Sequence, residues 1–287
     1  MLAAMAVLPY LDVAAKFLGQ QGQPVLQIVW GRMAFGALLT LPFVLKSDGM
    51  AAFTPSLPGY QTLRAILLLA STAFFFAGLN YLSVADTLAI FFVQPLVLTL
   101  LSPFMLGEHV GWRRWLAVAV GFIGTLIIIR PGLKELNLGV LFALLSGTSL
   151  ALYLLLTRRI SGRVSALVTT FQTNVIATVI LTAMMFWIWV APSPWQWFLM
   201  FLVGLIAVVG HYLIVRSYDY AEASLLAPLA YTEMITAVIA GWFFFGDFPD
   251  QWTFAGVAIL IACAIYISWR ERTLGLPSAV PSQHVVD

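Results

Sequence analysis

The chain has 287 residues, 62% of them hydrophobic and only 9% charged, with a net charge of +2 and a mean hydropathy of +0.98. Soluble domains carry about 25% charged residues, so the composition excludes a soluble protein and makes this an integral membrane protein, all-α by its long apolar runs, with no nucleic-acid partner expected. A single cysteine, Cys263, excludes an internal disulfide.

Ten apolar segments reach the roughly 20 residues needed to cross a bilayer: 2–18, 25–45, 63–83, 88–106, 113–130, 138–157, 165–190, 196–216, 224–245 and 252–269. The first carries Asp12 and Lys16, unlike the apolar core of a signal peptide. The second holds Arg32, and the third ends in Asn80 and Tyr81. Connection 46–60 has little periodicity and reads as an exposed loop. The fourth span contains Gln94 and Pro95 behind Asp86, an acid that complements a helix N-terminus. The fifth and tenth have no ionisable interior residue, which suits scaffolding; Gly121 and Gly124 in the fifth permit close packing and leave a homodimer open. Tyr153 lies in the sixth span, Gln172 and Asn174 in the seventh, and His211 in the eighth. Trp187, Trp189, Trp195 and Trp197 flank loop 191–194 as an interfacial aromatic belt. The ninth span opens after Glu222 and contains Pro228, Tyr231 and Glu233. Residues 271–287 are polar and read as a disordered tail.

The fourth and ninth spans share a plan about 136–139 residues apart: Ala-acid, interior proline, apolar run, Gly-acid. A five-helix unit crosses an odd number of times, so its second copy enters upside down. Inverted repeats place a substrate site near the midplane, between the halves. The basic residues set the orientation. With a cytoplasmic N-terminus, one side collects Lys46, Arg64, Arg113, Arg114, Arg158, Arg159, Arg163, Arg216, Arg270 and Arg272, against Lys16, Arg130 and Lys134 on the other. That bias predicts cytoplasmic N- and C-termini.

The segments GEHVGWRRWLAVAVGFIGTLIIIRPG (107–132), ASLLAPLAY (223–231) and FGDFPDQWTFAGVAILI (245–261) resemble EamA-type members of the drug/metabolite transporter superfamily. The resemblance implies ten transmembrane helices as two inverted five-helix EamA repeats, residues 1–134 and 135–270, around a central cavity. It also implies a secondary transporter in a bacterial inner membrane, moving a small polar organic metabolite such as an amino acid or riboflavin. One departure is Asp247, where family members usually have Glu. The pattern Asp12-x-x-x-Lys16, then Trp30-x-Arg32, is more similar to the branch containing riboflavin and S-adenosylmethionine carriers.

An ionisable group near the midplane costs roughly 2.5–3.5 kcal/mol on insertion scales, and so marks a functional site. Asp12, Lys16, Arg32 and Glu233 fall at similar estimated depths, and their charges sum to zero, as burial requires. The i,i+4 spacing of Asp12 and Lys16 allows either an ion pair or a role at the cavity. Arg32 and Glu233 form either a substrate and proton-coupling site or a helix-fixing salt bridge. Asn80, Tyr81, Gln94, Tyr153, Gln172, Asn174, His211 and Tyr231 complete the candidate substrate-binding or coupling set. The expected partners are a small-molecule substrate, membrane lipids and, through the buried carboxylates, protons. With three histidines and no metal spacing, GxSxG or phosphate-binding loop, neither a metal nor another cofactor is expected, and no residue is assigned as catalytic. A membrane-embedded enzyme acting on lipid or peptide is the alternative class.

Overall fold

A computed structural model of the chain describes residues 1–55, 57–106, 112–130, 137–160, 165–218, 229 and 231–273. The regular elements are α1 (Leu2–Gln20), α2 (Val25–Ser47), a 3-10 turn (Gly49–Phe53), α3 (Pro58–Leu79), α4 (Val84–Phe91), α5 (Gln94–Leu106), α6 (Trp112–Ile129), α7 (Leu138–Ile160), α8 (Ala166–Ile188), α9 (Pro194–Tyr218), α10 (Glu233–Phe245) and α11 (Gln251–Thr273). Seven stretches are long and apolar enough to span a membrane, with α4 and α5 counted as one; Trp115–Ile129, Glu233–Phe245 and Gln251–Cys263 are shorter apolar helices. Phe104, Phe186, Trp187 and Phe243 are among many large apolar side chains on the outside. A bundle immersed in lipid has no reason to hide them.

Packing follows a two-fold exchange between halves. If α1, α2, α3, α4–α5 and α6 correspond to α7, α8, α9, α10 and α11, the larger contacts between the halves have their mates. The contact of α3 with α7 mirrors that of α9 with α1, α2 with α9 mirrors α8 with α3, and α5 with α7 mirrors α10 with α1. The pairs α2–α8 and α6–α11 map onto themselves. The halves are also inverted. Leu82 accepts a hydrogen bond from Lys16, near the end of α1, and lies against Gly139, at the start of α7. Corresponding helices therefore run in opposite directions. Likewise Arg130, closing α6, pairs with Asp250, which precedes α11.

The α6–α11 seam is built on glycine. A Cβ on Gly256 would stand 2.4 Å from Ile128 Cγ1 and 2.6 Å from the Gly124 carbonyl oxygen. Gly124 thus packs within this chain, while Gly121 takes Leu96 against it. Three expectations change. Connection 46–60 is not simply exposed: Ala52 is buried among Val44, Val168 and Phe171, and Phe53 meets Phe171 edge-on at 5.2 Å. The side chain capping α4 is Ser83, which accepts from the Asp86 amide at 2.9 Å, leaving the Asp86 carboxylate to accept from the Thr253 hydroxyl. Arg64, counted with the basic residues at one end of the bundle, is buried between α3 and α7. Glu222, Pro228 and residues 274–287 of the tail lie outside the described residues.

Candidate functional site

The fourth span breaks at Phe92–Val93, where the chain makes turn-type bonds: Val93 N–H to Ile90 O at 3.0 Å and Leu96 N–H to Val93 O at 3.0 Å. Pro95 is the second residue of α5, where the missing N–H costs nothing and the fixed φ suits a helix start. Gly147 of α7 accommodates the break; a Cβ there would lie 2.7 Å from the Phe91 carbonyl oxygen. In the ninth span the same bonds recur, Thr232 N–H to Leu229 O and Ile235 N–H to Thr232 O, both at 3.1 Å. Gln94 and Glu233 are thus equivalent residues, each the first of a half-helix.

Glu233 lies within electrostatic range of Asp12, and Asp12 of Arg32. Tyr153 and His211 lie within range of Arg32. Pairwise, Asp12 and Arg32 thus link five predicted residues, on α1, α2, α7, α9 and α10. Neither of the ion pairs the sequence left open, Asp12–Lys16 or Arg32–Glu233, is among those formed by the described residues. Arg32 donates from Nη1 to Thr72 on α3, and its buried Nε has no hydrogen-bond partner. Asp12 is buried; among the described residues, neither it nor Glu233 accepts a side-chain hydrogen bond or lies within 4.0 Å of a cation. His211 is exposed, with Nδ1 2.7 Å from its own helix's Ala207 O. Tyr231 is buried against Phe92 at 4.8 Å between ring centroids, and Gln94 is half-buried at the break.

Lys16 belongs elsewhere. It pairs with Asp247 Oδ2 at 2.8 Å rather than with Asp12, donates to Leu82 O at 3.3 Å, and sits 4.6 Å from the Phe245 ring centroid. The long stem carries its ammonium toward the end of the bundle, beyond Asp12. There it lines a cavity of about 520 Å³ with Asn80, Tyr81, Gln20, Ser83 and Asp247. Two more predicted residues, Asn80 and Tyr81, thus line an end vestibule. Gln172 and Asn174 are on α8 facing other partners: Gln172 donates to Ala52 O at 2.7 Å, and Asn174 lies against Gly36 of α2.

Sequence reasoning missed Thr72, Gln61 and Asp247 as site neighbours, and underrated Arg64. The Gln61-x-x-Arg64 spacing, which places two polar groups on one helix face, was the available signal. Thr72 gave none, and Asp247 was marked by the Gly-acid ending but its pairing was not, because both roles depend on which helices meet.

The EamA-like transporter family matches residues 1–130 and again 137–269. The S-adenosylmethionine uptake transporter of Rickettsia prowazekii (strain Madrid E) is 27% identical over 261 residues, covering 91% of this chain and 88% of its own. The riboflavin transporter of Rhizobium johnstonii is 28% identical over 249 residues, covering 86% and 82%. The pseudopaline exporter CntI of Pseudomonas aeruginosa is 24% identical, covering 87% and 88%. One solved crystal structure superposes with a TM-score of 0.68 at 16% identity, over 95% of this chain and 97% of that one, a likeness of fold. With its repeat matched twice over nearly the whole length, the chain belongs to the EamA-like transporter family and is a membrane transporter, not an enzyme.

Proposed function

We propose that the chain carries a small polar organic metabolite with an anionic group across a bacterial inner membrane by alternating access, binding it at Asp12, Arg32 and Glu233. The observation that carries this reading is Arg32: among the described residues its buried Nε has no hydrogen-bond partner, and Asp12, within electrostatic range, does not pair with it. A guanidinium in that position supplies a fork for a solute carboxylate, phosphate or imide-like edge. The unpaired carboxylates suit a cationic group on the solute or a transported proton. The relatives' names cover S-adenosylmethionine, riboflavin and pseudopaline, and both uptake and export. They support the solute class and leave direction to the prevailing gradients. The shorter apolar helices complete ten crossings, in repeats of residues 1–134 and 135–270, with both termini cytoplasmic.

The test is Arg32→Gln, Glu233→Gln and the double variant in proteoliposomes, with S-adenosylmethionine and riboflavin as probes, with and without a pH gradient. Arg32→Gln leaves Asp12 and Glu233 without a counter-charge, at a cost of several kcal/mol, whereas Glu233→Gln leaves Asp12 beside Arg32. The double variant removes one charge of each sign and leaves Asp12 as the site's single carboxylate. It is expected to fold and to lose solute binding or its pH response. Normal transport and normal pH dependence in a well-folded double variant would reject the central site.

A further inference from the structure

Four cations described inside the bundle divide into two kinds. Lys16 and Arg130 each hold an aspartate. Among the described residues, Arg32 and Arg64 hold none. Arg64 is 1% exposed and Gln61, one helical turn before it, is 0% exposed. Arg64 Nε donates to Thr157 Oγ1 at 3.0 Å, Nη1 to Gln61 Oε1 at 2.7 Å, and Nη2 to the Tyr153 hydroxyl at 3.3 Å. The guanidinium also lies 5.0 Å from the Tyr153 ring centroid. Every one of these partners is neutral. Lys and Arg are almost never fully buried unless paired, and neutral acceptors leave the net charge in place.

The donors around Arg64 are also in excess. Gln61 Nε2 is buried with no acceptor. Thr157 gives its proton to the Tyr153 carbonyl oxygen at 2.7 Å. The Tyr153 hydroxyl receives the Arg64 bond, and its own proton has no acceptor among the described residues. A guanidinium, an amide NH₂ and a phenol O–H are therefore neighbours here, with no carboxylate beside them among the described residues. That is the donor set of an anion site. Tyr153 is half-buried and within electrostatic range of Arg32 as well, so it neighbours both arginines.

We propose that Arg64, with Gln61 and Tyr153, forms a second station for the anionic group, carboxylate or phosphate, of the transported solute. The group passes between Arg32 and Arg64 as the Tyr153 side chain shifts. This rests on the transport reading above, but it assigns a site of its own. The experiment is hydrogen–deuterium exchange on the full-length protein in detergent, at constant ionic strength. Sodium acetate and inorganic phosphate are titrated separately, to tell the two anion types apart. In wild type and in Arg32→Gln, at least one anion is expected to slow exchange saturably in peptides spanning 58–66 and 151–158. In Arg64→Gln the effect is expected to vanish. If Arg64→Gln does not fold, Gln61→Leu replaces it and is expected to raise the half-saturating concentration roughly tenfold. Absence of protection in Arg32→Gln by both anions would overturn the second station, as would unchanged half-saturation in Arg64→Gln or, in its stead, Gln61→Leu. Protection retained in Arg32→Gln alongside a normally transporting Arg32→Gln/Glu233→Gln variant would instead reject the central site and leave the station standing.

Discussion

The rings of Phe92 and Tyr231 meet at 4.8 Å with an interplanar angle of 46°, and the two residues occupy the same place in the two repeats. Each sits at the turn that breaks its span, and each is followed two residues later by a polar first helical residue, Gln94 or Glu233. The repeat is kept in the backbone and broken in the charge. Neutral amide on one side and carboxylate on the other give a symmetric frame an asymmetric centre.

Truncating either ring opens a cavity where the two breaks support one another. Phe92→Ala and Tyr231→Ala are each expected to cost about 3–5 kcal/mol of stability, with coupling of about 0.5–1.5 kcal/mol in the double variant. Reversible unfolding in detergent measures this. Strict additivity would mean that the ring contact does not join the breaks.

At the α6–α11 seam, Gly256→Ala drives a methyl into the Gly124 carbonyl, which is backbone and cannot rotate away. Overpacking of this kind costs about 1–3 kcal/mol. The expected result is a lowered unfolding temperature with unchanged solute preference in the surviving protein. A changed preference at unchanged stability would place the seam in the transport path.

Orientation is tested by labelling. Gln21, Ser193 and Asp48 are exposed, and the single native cysteine, Cys263, is buried. In a Cys263→Ala background, cysteines at 21 and 193 are expected to react with an impermeant thiol reagent in intact cells, and one at 48 only after permeabilisation. The reverse pattern would invert the proposed topology.

Much of this frame was legible because a bilayer makes hydropathy decisive: spans must be apolar, and Asp12, Arg32 and Glu233 stood out against them. The repeat was legible in the Gly-acid endings and the interior prolines. Pairing was not. Lys16 has Asp12 one turn away on its own helix, yet its stem carries it to Asp247, far along the chain. Arg64 read as a basic residue at the end of the bundle because charge counting takes no account of which helix covers it. It lies only six residues beyond the start of α3, about 9 Å along the axis, and α7 closes over it. Depth alone brought Arg32 and Glu233 to one level, but the gap between them depends on side-chain direction.

The 3-10 turn is held to α8 by the Gln172 amide on Ala52 O at 2.7 Å and by Phe53 on Phe171. Gln172→Leu removes that bond and also an orphaned acceptor, Gln172 Oε1. The two effects nearly offset, so global stability is expected to change by about 1 kcal/mol or less. Limited proteolysis between residues 48 and 57 is expected to quicken. Cleavage at the wild-type rate would show that apolar packing alone holds the turn.

Lys16 and Asp247 tie α1 to the residues just after α10, so their ion pair bridges the two repeats over the end vestibule. If this end must open for solute to pass, the pair must part. Their cost of parting is small: Asp247 is 36% exposed in its side chain, and a pair that open to solvent contributes about 1 kcal/mol or less. A covalent tie cannot part. Lysine is long, so Lys16→Cys and Asp247→Cys are better joined by a short bifunctional thiol reagent than by a disulfide, which needs closely spaced Cα atoms. In the Cys263→Ala background, the joined protein is expected to lose transport while the singly labelled variants keep most of it. Cleaving a reducible linker is expected to restore activity. Transport at the unlinked rate with the tie intact would show that this end stays closed through the cycle, and that solute leaves the centre by another route.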